Sequence, residues 1–562
     1  MKGAVKDPLP QWGLSRGALP FFALFAMLAM TNLYLVLVGV EFEGKSLAIR
    51  AYFLLTAVTL LSLPLLVLSA ARYALLMAPL GLLAPFEFLH IHFYRSASTL
   101  GAIGSSLETN PVELMEFLTG KEAYMVGSVV FVGLVLFLAA RARVVRLPVR
   151  TLRYCVVAMA GTVLGVGVVQ KSLLDRLGVR KGFVEVSMNV QRSFQSSYPF
   201  GFIARLTVAA NGVWQSARHR GLVEGSRFNA HRSSATATPE LYVTILGETA
   251  RFSNWSLNGY QRETSPRLER IAGLTSFEHM CSPSNVSRVS VPLILTKVGT
   301  ERYREVYREK SFIAAFAEAG FRTYWISNQG KYGQHDNSIS MHAGDAAEAF
   351  FIGLEKGGED YDSRVLPVLS RILGRREQYV EILIHTMGSH YNYSARYPRT
   401  AAIYLPDRAP EWGDKKALLN SYDNSIAYAD AVIAAIIEEV DKRDVPAVVT
   451  FISDHGENLG DNSRGLYGHP TALNTISEYH VPFFVWLSDE YRRAYPDKSL
   501  AIAANRSKWA IGSDYFHTIT DLASIECEGC RVESSLARLG YRKPEMTVVD
   551  ANGKFLDCKS LK

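Results

Sequence analysis

Cysteine is scarce in this chain. There are five in 562 residues, and no second pair matches Cys527 and Cys530, so a four-cysteine zinc site lacks its other half. A stripe of Lys and Arg interleaved with aromatics, the footprint of a nucleic-acid binder, is also missing. The net charge of +7 therefore needs another source, and nucleic acid is not an expected partner. No small-residue cleavage site follows the first apolar run, which reads as a retained anchor and not as a signal peptide.

What the chain has in abundance is long apolar runs, all in its first third. Mean hydropathy is +0.07, high for a wholly soluble protein. Leu19 to Val40, Ala51 to Ala70, Ala74 to Leu89, Ala123 to Ala140 and Tyr154 to Val169 each approach the roughly 20 residues that cross a bilayer. The third carries Glu87 with Pro79 and Pro85. Buried helices of a soluble core are the alternative, but five such runs close together would leave little polar surface to cover them. Lys2, Lys6 and Arg16 precede the first run, and Arg141, Arg143, Arg146, Arg150 and Arg153 fill the connection before the fifth. Short basic loops stay cytoplasmic, so everything after about Gln170 lies outside, and these loops account for much of the charge.

The longer outside loop, His90 to Glu122, groups Ser105, Ser106, Thr109, Asn110 and Glu113 beside the bilayer. Asn110 as a helix N-cap with Glu113 completing a capping box is one reading; polar contact with a lipid headgroup is compatible with it. Residues 171–239 read as juxtamembrane bridging helices and a linker. Within them Phe200 to Trp214 is either an amphipathic helix at the interface or a connecting helix packed on the soluble domain, and Arg227 to Thr238 is a loose linker.

From Glu240 onward, β-prone and helical stretches alternate. Leu241 to Leu246, Arg322 to Ile326, Tyr379 to Ile384, Ala447 to Ile452 and Val481 to Trp486 read as buried strands; Lys310 to Ala319, Arg364 to Leu373 and Lys415 to Val440 read as helices. That alternation predicts a soluble α/β domain with a doubly wound, mostly parallel sheet. The domains expected are a five-helix transmembrane domain (1–170), the bridge (171–239) and a catalytic domain (240–562). Ligands in such sheets sit beyond the carboxyl ends of the strands. Four strands in succession are followed there by chemically capable residues: Glu248, Thr249 and Arg251; Asn328, Gln329 and Lys331; His385, Ser389 and His390; Asp454 and His455, with His469 downstream.

An adjacent Asp454-His455 pair fits a capping Asp beside a structural His as well as it fits a metal site. Joined by Glu248 it becomes a mixed oxygen and nitrogen set suited to Zn2+, with Mn2+ as the alternative. Such an ion lowers the pKa of a coordinated hydroxyl and polarises a phosphoryl oxygen. The stretch Cys281 to Pro292 (CSPSNVSRVSVP) is dense in hydroxyls and leads into a helix-like segment, whose N-terminus favours a bound anion. Lys331, His390 and His469 are candidates to surround a phosphate or hold a second ion.

These residues carry a resemblance. Gly247-Glu248-Thr249-Ala250-Arg251, Asn258 to Pro266 (NGYQRETSP), Val289-Ser290-Val291-Pro292, His385 to His390 and Ser453 to Glu457 occur in the order found in bacterial phosphoethanolamine transferases, members of the sulfatase and alkaline phosphatase-like superfamily. The chain resembles that family over nearly its whole length, five-span anchor included. The resemblance implies an inner-membrane protein with a periplasmic catalytic domain. It would take phosphoethanolamine from phosphatidylethanolamine onto a metal-activated hydroxyl and pass it to lipid A or another envelope glycan. The implied ligands are Glu248, Ser287, Asp454 and His455, with one or two zinc ions; Ser287 is the nucleophile, and Ser284 and Ser290 stay open. Lys331, His390 and His469 take the supporting catalytic roles. Thr109 and Glu113 match positions linked to headgroup binding, and Asn110 and Asn328 are placed with them. The family nucleophile is usually Thr, and the family often has a disulfide flanking it. With four cysteines outside the spans and Cys527–Cys530 as the simplest bridge, the loop here is expected to be less stapled. The expected partners are the lipid donor, the glycan acceptor and membrane lipids, with the protein a monomer. A phosphoglycerol transferase of the kind that builds lipoteichoic acid, or a membrane-tethered phosphatase or sulfatase, is the alternative.

Overall fold

The computed structural model describes residues 18–109, 121–142, 149–176, 193–233, 238–329, 337–353, 361–407, 414–471, 473–543 and 545–562. They fall into two compact units, Met1–Ser98 with Lys121–Leu206, and Thr99–Gly120 with Thr207–Lys562. The sequence boundaries at 170 and 239 differ from this division, which cuts at 206 and assigns Thr99–Gly120 of the outside loop to the second unit.

In the first unit, α1 (Leu19–Val38), α2 (Leu47–Ser62) and α3 (Ala70–Tyr94) come before the outside loop, whose helix α4 (Leu100–Glu108) belongs to the second unit. Then come α5 (Glu122–Ala142), α6 (Val149–Arg176) and the start of α7 (Phe200–Ala217), whose residues from Thr207 onward belong to the second unit. Four described stretches, Leu19–Val38, Leu47–Leu66, Ala70–Tyr94 and Glu122–Ala142, are long and apolar enough to cross a membrane. The fifth expected run lies on α6, where the apolar stretch Leu152–Val166 is shorter. Glu87, the polar interruption of the third run, is fully buried and pairs with Arg205 at 2.7 Å. An ionisable residue at membrane depth needs such a partner.

The second unit is built on a seven-stranded sheet. Its strands are β1 (Glu240–Gly247), β2 (Leu274–Ser276), β3 (Arg322–Ser327), β4 (Glu348–Phe351), β5 (Tyr379–His385), β6 (Ala447–Ser453) and β7 (Phe483–Leu487). Their order across the sheet is β2-β7-β6-β1-β5-β3-β4. From β6 to β4 every pairing is parallel, and β7 and β2 extend one edge antiparallel. The five expected strands are present; β2 and β4, three and four residues long, are too short to leave a periodic signal. Alternate residues of β1 enter opposite cores: Tyr242 and Leu246 join Phe312, Phe316 and Phe516, whereas Leu241, Val243 and Ile245 join Val365, Leu369, Ile433 and Ile437. Helices thus cover both faces, and the carboxyl ends of β6, β1 and β5 lie side by side.

One buried group sits badly. Glu381, inside β5 opposite Tyr242 and Thr323, is fully buried and neither carboxyl oxygen has a protein hydrogen-bond partner. Burial drives its pKa well above the ordinary range, so the folded protein holds a proton there that the unfolded chain releases. Stability is therefore lost as pH rises above the unfolded value of ~4.3. Glu381→Met is expected to raise stability at pH 7 by about 1–3 kcal/mol, the cost of a buried unsatisfied polar group, and by less at pH 4. Urea denaturation at the two pH values measures this; a loss of stability at pH 7 contradicts it.

Candidate active site

Three neighbouring strand ends bring the chemistry together. Glu248 follows β1, Asp454 and His455 follow β6, and the turn after β5 passes beside Glu248. That turn needs Gly388, which has φ +50° and whose added Cβ would lie 2.6 Å from the Glu248 carbonyl. Asp362 holds the turn by accepting from the backbone N–H groups of Met387 (2.7 Å) and Gly388 (2.8 Å). Thr249 is left-handed at φ +58°, a conformation that costs a β-branched residue about 1–3 kcal/mol. From there its N–H donates to Asp454 Oδ1 at 2.9 Å and its hydroxyl to Glu248 Oε1 at 2.7 Å.

Ser287 opens the helix α8 (Ser287–Leu295), and its Oγ lies 3.0 Å from His455 Nε2 and 3.3 Å from Glu248 Oε1. His455 Nε2 is 3.2 Å from Asp454 Oδ2 and 3.7 Å from Glu248 Oε1. Four donor atoms therefore converge. A tetrahedron with ion–ligand bonds of about 2.0–2.2 Å has edges of about 3.3–3.6 Å, and the observed separations bracket that range. His455 Nδ1 donates to the Gly456 carbonyl at 2.9 Å, which leaves the Nε2 lone pair facing the cluster. Asp454 Oδ2 is buried with no hydrogen-bond partner. Burial raises Glu248 to about 7, with the Asp454 charge adding to it, raises Asp454 to about 6 and lowers His455 to about 4. The cluster is short of positive charge, and the donor set fits a zinc ion; Glu248, Asp454 and His455 form the one group of this kind found among the described residues.

Of the serines left open, Ser290 donates instead to the Asp454 backbone carbonyl at 2.5 Å, and Ser284 Oγ is buried without a partner. His469 lies ring to ring with His455, centroids 3.9 Å apart, and its Nδ1 is 3.1 Å from Glu457 Oε1. Burial works against a charge on His469, but Glu457 and the other carboxylates prevail and raise it to about 9. His390 is held neutral, lowered to about 3 by burial and then by Arg396, and its Nδ1 is buried without a partner.

The expected substrate contacts fare differently. Asn328 is 1% exposed and its amide donates to Asp362 at 2.9 Å, so it braces the β5 turn. Its neighbour Gln329 reaches the cluster, donating to Glu248 Oε2 at 3.4 Å and to the Thr386 carbonyl at 3.0 Å. Thr109 ends α4 with its hydroxyl on the Ser105 carbonyl at 2.8 Å. Lys331, Asn110 and Glu113 lie outside the described residues.

The Asn258–Pro266 stretch is a brace and contributes nothing directly to the cluster. Tyr260 and Arg262 donate to Asp423 Oδ2 at 2.9 and 2.7 Å, and Asn254 donates to Asp423 Oδ1 at 2.7 Å. The residue before Asp423, Tyr422, donates to the Thr249 carbonyl at 2.8 Å. The expectation of a less stapled nucleophile loop needs correcting. Cys281 is bonded to Cys558, 277 residues away, alongside the expected Cys527–Cys530 bridge. Cys281 and Cys558 are the pair left once Cys527 and Cys530 are joined, but they come together only in the folded domain.

A family model described as sulfatase matches residues 240–525. The Kdo(2)-lipid A phosphoethanolamine 7''-transferase of Escherichia coli K12 is 29% identical over 287 residues, 50% of each chain. Phosphoethanolamine transferase EptA of the same strain is 29% identical over 318 residues, 53% of this chain and 56% of that one. The chain thus spans about half the length of the curated relatives it matches. Among solved structures, the integral membrane protein lipooligosaccharide phosphoethanolamine transferase A (EptA) of Neisseria meningitidis aligns with TM-score 0.74 at 20% identity, covering 94% of this chain and 99% of that one. The C-terminal periplasmic domain of EptC from Escherichia coli, in complex with Zn, aligns with TM-score 0.54 at 22% identity, covering 59% and 96%. At these identities the likeness is one of fold.

Proposed function

The chain belongs to the sulfatase family, and from that premise we propose that it transfers phosphoethanolamine from phosphatidylethanolamine to an envelope glycan or lipid A through an ester on Ser287. The observation that carries this reading is the position of Ser287 Oγ, 3.0 Å from His455 Nε2 at the start of a helix. The relatives named as phosphoethanolamine transferases support the group transferred. The four apolar helices support a lipid donor and a multi-pass membrane location; the shorter apolar stretch on α6 as a fifth crossing puts the catalytic unit on the periplasmic side.

Glu248, Asp454, His455 and Ser287 would hold the ion. Bound zinc would let Ser287 Oγ react as an alkoxide at neutral pH and would polarise the phosphoryl oxygen. In the first step Ser287 Oγ bonds to phosphorus, the bond to the diacylglycerol oxygen breaks, and that oxygen takes a proton from His469. In the second, the acceptor hydroxyl gives its proton to His469 and attacks the same phosphorus, which frees Ser287 Oγ. Glu457 holds His469 in place for both transfers. The N-terminus of α8 adds partial positive charge where the phosphoryl oxygens gather. Neutral His390 offers a hydrogen bond to the same group.

The test uses phosphatidylethanolamine labelled in its headgroup. The label is expected on a peptide containing Ser287 and, on adding lipid A, in the glycolipid product. Transfer only from phosphatidylglycerol overturns the donor assignment, and release to water unaffected by acceptor overturns transfer in favour of hydrolysis.

A further inference from the structure

Directly after Ser287 comes Arg288, a buried cation with no place in the mechanism above. Arg288 is 7% exposed, and its ion-pair partner comes from the loop between α3 and α5. Arg288 Nη2 lies 3.4 Å from Glu108 Oε1 at the end of α4. Glu108 does more than neutralise it, because Glu108 Oε2 accepts from Ser338 Oγ at 3.0 Å. One carboxylate thus joins the nucleophile helix to the chain on the far side of the 330–336 segment.

α4 is built to come this close. A Cβ on Gly101 would meet Val286 Cγ1 at 2.9 Å, and one on Gly104 would meet Arg288 Cζ at 2.5 Å. Two glycines three apart on one helix face thus meet the residues on either side of Ser287. The backbone fixes the register, since Gly101 N–H donates to the Ala551 carbonyl at 2.8 Å and Leu100 N–H to Asn552 Oδ1 at 3.3 Å. A third glycine, Gly212 of α7, faces the same guanidinium and the Tyr307 hydroxyl. Gly104 and Gly212 leave room for the Arg288 head group, and Glu108 supplies the countercharge. The start of α8 has no side-chain cap, Val286 standing at the N-cap.

We propose that Arg288 is a positioning residue for Ser287, held from the outside loop by Glu108. It fixes the first turn of α8 so that Ser287 Oγ stays within reach of His455 and Glu248. The inference rests on Ser287 being the nucleophile. It deepens that reading by making the loop between two spans part of the machinery that aims it.

The experiment measures transfer by the full-length, zinc-loaded protein in detergent–phosphatidylethanolamine micelles, with bound zinc and melting temperature recorded for each variant. Arg288→Ala, Glu108→Ala and Gly104→Ala are expected to lower kcat about 10-fold or more, with KM for the lipid and zinc content unchanged. Arg288→Lys is expected to recover part of the loss. Glu108→Ala is expected to add little to Arg288→Ala, as for two ends of one contact. Should Arg288→Ala fail to fold, Gly104→Ala and Glu108→Gln test the same contact. Wild-type kcat in Arg288→Ala, a fall explained by lost zinc or lost folded protein, or full additivity of the two alanine variants each overturns the proposal. Ser287→Ala run in parallel separates the failures. Transfer persisting there removes the nucleophile itself, whereas an inactive Ser287→Ala beside an unimpaired Arg288→Ala removes the positioning role alone.

Discussion

Ser287→Ala is expected to lower phosphoethanolamine transfer by about 10³-fold or more, the scale on which loss of a nucleophile is felt, with zinc binding only weakened. Ser282, Ser284, Ser287 and Ser290 crowd nine residues, but only Ser287 Oγ has Glu248 and His455 as its partners. Ser282 and Ser290 both point at the backbone carbonyl of Asp454. Removing either hydroxyl disturbs how that residue is held without touching the reacting atom, so a loss of about 10-fold or less is expected. Ser287→Thr keeps the oxygen and adds one methyl; it is expected to retain most activity, since the chemistry needs only an activated hydroxyl. Initial rates with labelled donor, paired with mass spectrometry of the Ser287 peptide, check all of these. Undiminished transfer in Ser287→Ala with a label on Ser284 or Ser290 would move the nucleophile.

What could be read from the chain divides along sequence distance. Strands such as Leu241–Leu246 and Ala447–Ile452 show themselves because a buried parallel strand is a continuous apolar run. Their carboxyl ends then point to Glu248 and to Asp454-His455 without further information. The partners of those residues were not legible. Glu457 beside His469 looks like one more carboxylate after a strand. Gln329 reaches Glu248, whereas its neighbour Asn328 donates to Asp362. The Asn258–Pro266 stretch carried the family resemblance, yet its side chains work on Asp423, more than 160 residues away. A resemblance reports that residues matter and leaves open whether they react or brace.

The outside loop shows the same limit from the other side. Within Ser105 to Glu113, where the sequence fits a helix cap and a headgroup contact alike, Glu108 faces inward to Arg288. Nothing local distinguishes a carboxylate that meets a headgroup from one that meets a guanidinium 180 residues later. Only packing decides, and the glycines at 101 and 104 are its trace in the sequence.

Asp454→Asn is expected to weaken zinc binding by at least about 100-fold, more than the 10–100-fold typical of residues that merely orient a ligand. It should also abolish transfer at stoichiometric zinc. Asp454 divides its two oxygens: Oδ1 accepts from Thr249 N–H and His455 N–H at 2.9 and 2.7 Å, while Oδ2 is buried and bare. An amide can keep the first role through its own oxygen, so the turn survives. In the second role it replaces a charged ligand by a neutral one in a site whose carboxylates burial already strains. The ion also stabilises the fold that binds it, by about 4 kcal/mol when its free concentration is a thousandfold above Kd. Chelation of the wild type should therefore lower Tm by several degrees, with zinc restoring both Tm and transfer, whereas Asp454→Asn should show the low Tm from the start and respond to neither. Zinc content by elemental analysis and Tm with and without chelator provide the measurement. If Asp454→Asn retained zinc at the wild-type level, the bare oxygen would not be a ligand and the convergence of the four donor atoms would need another cause.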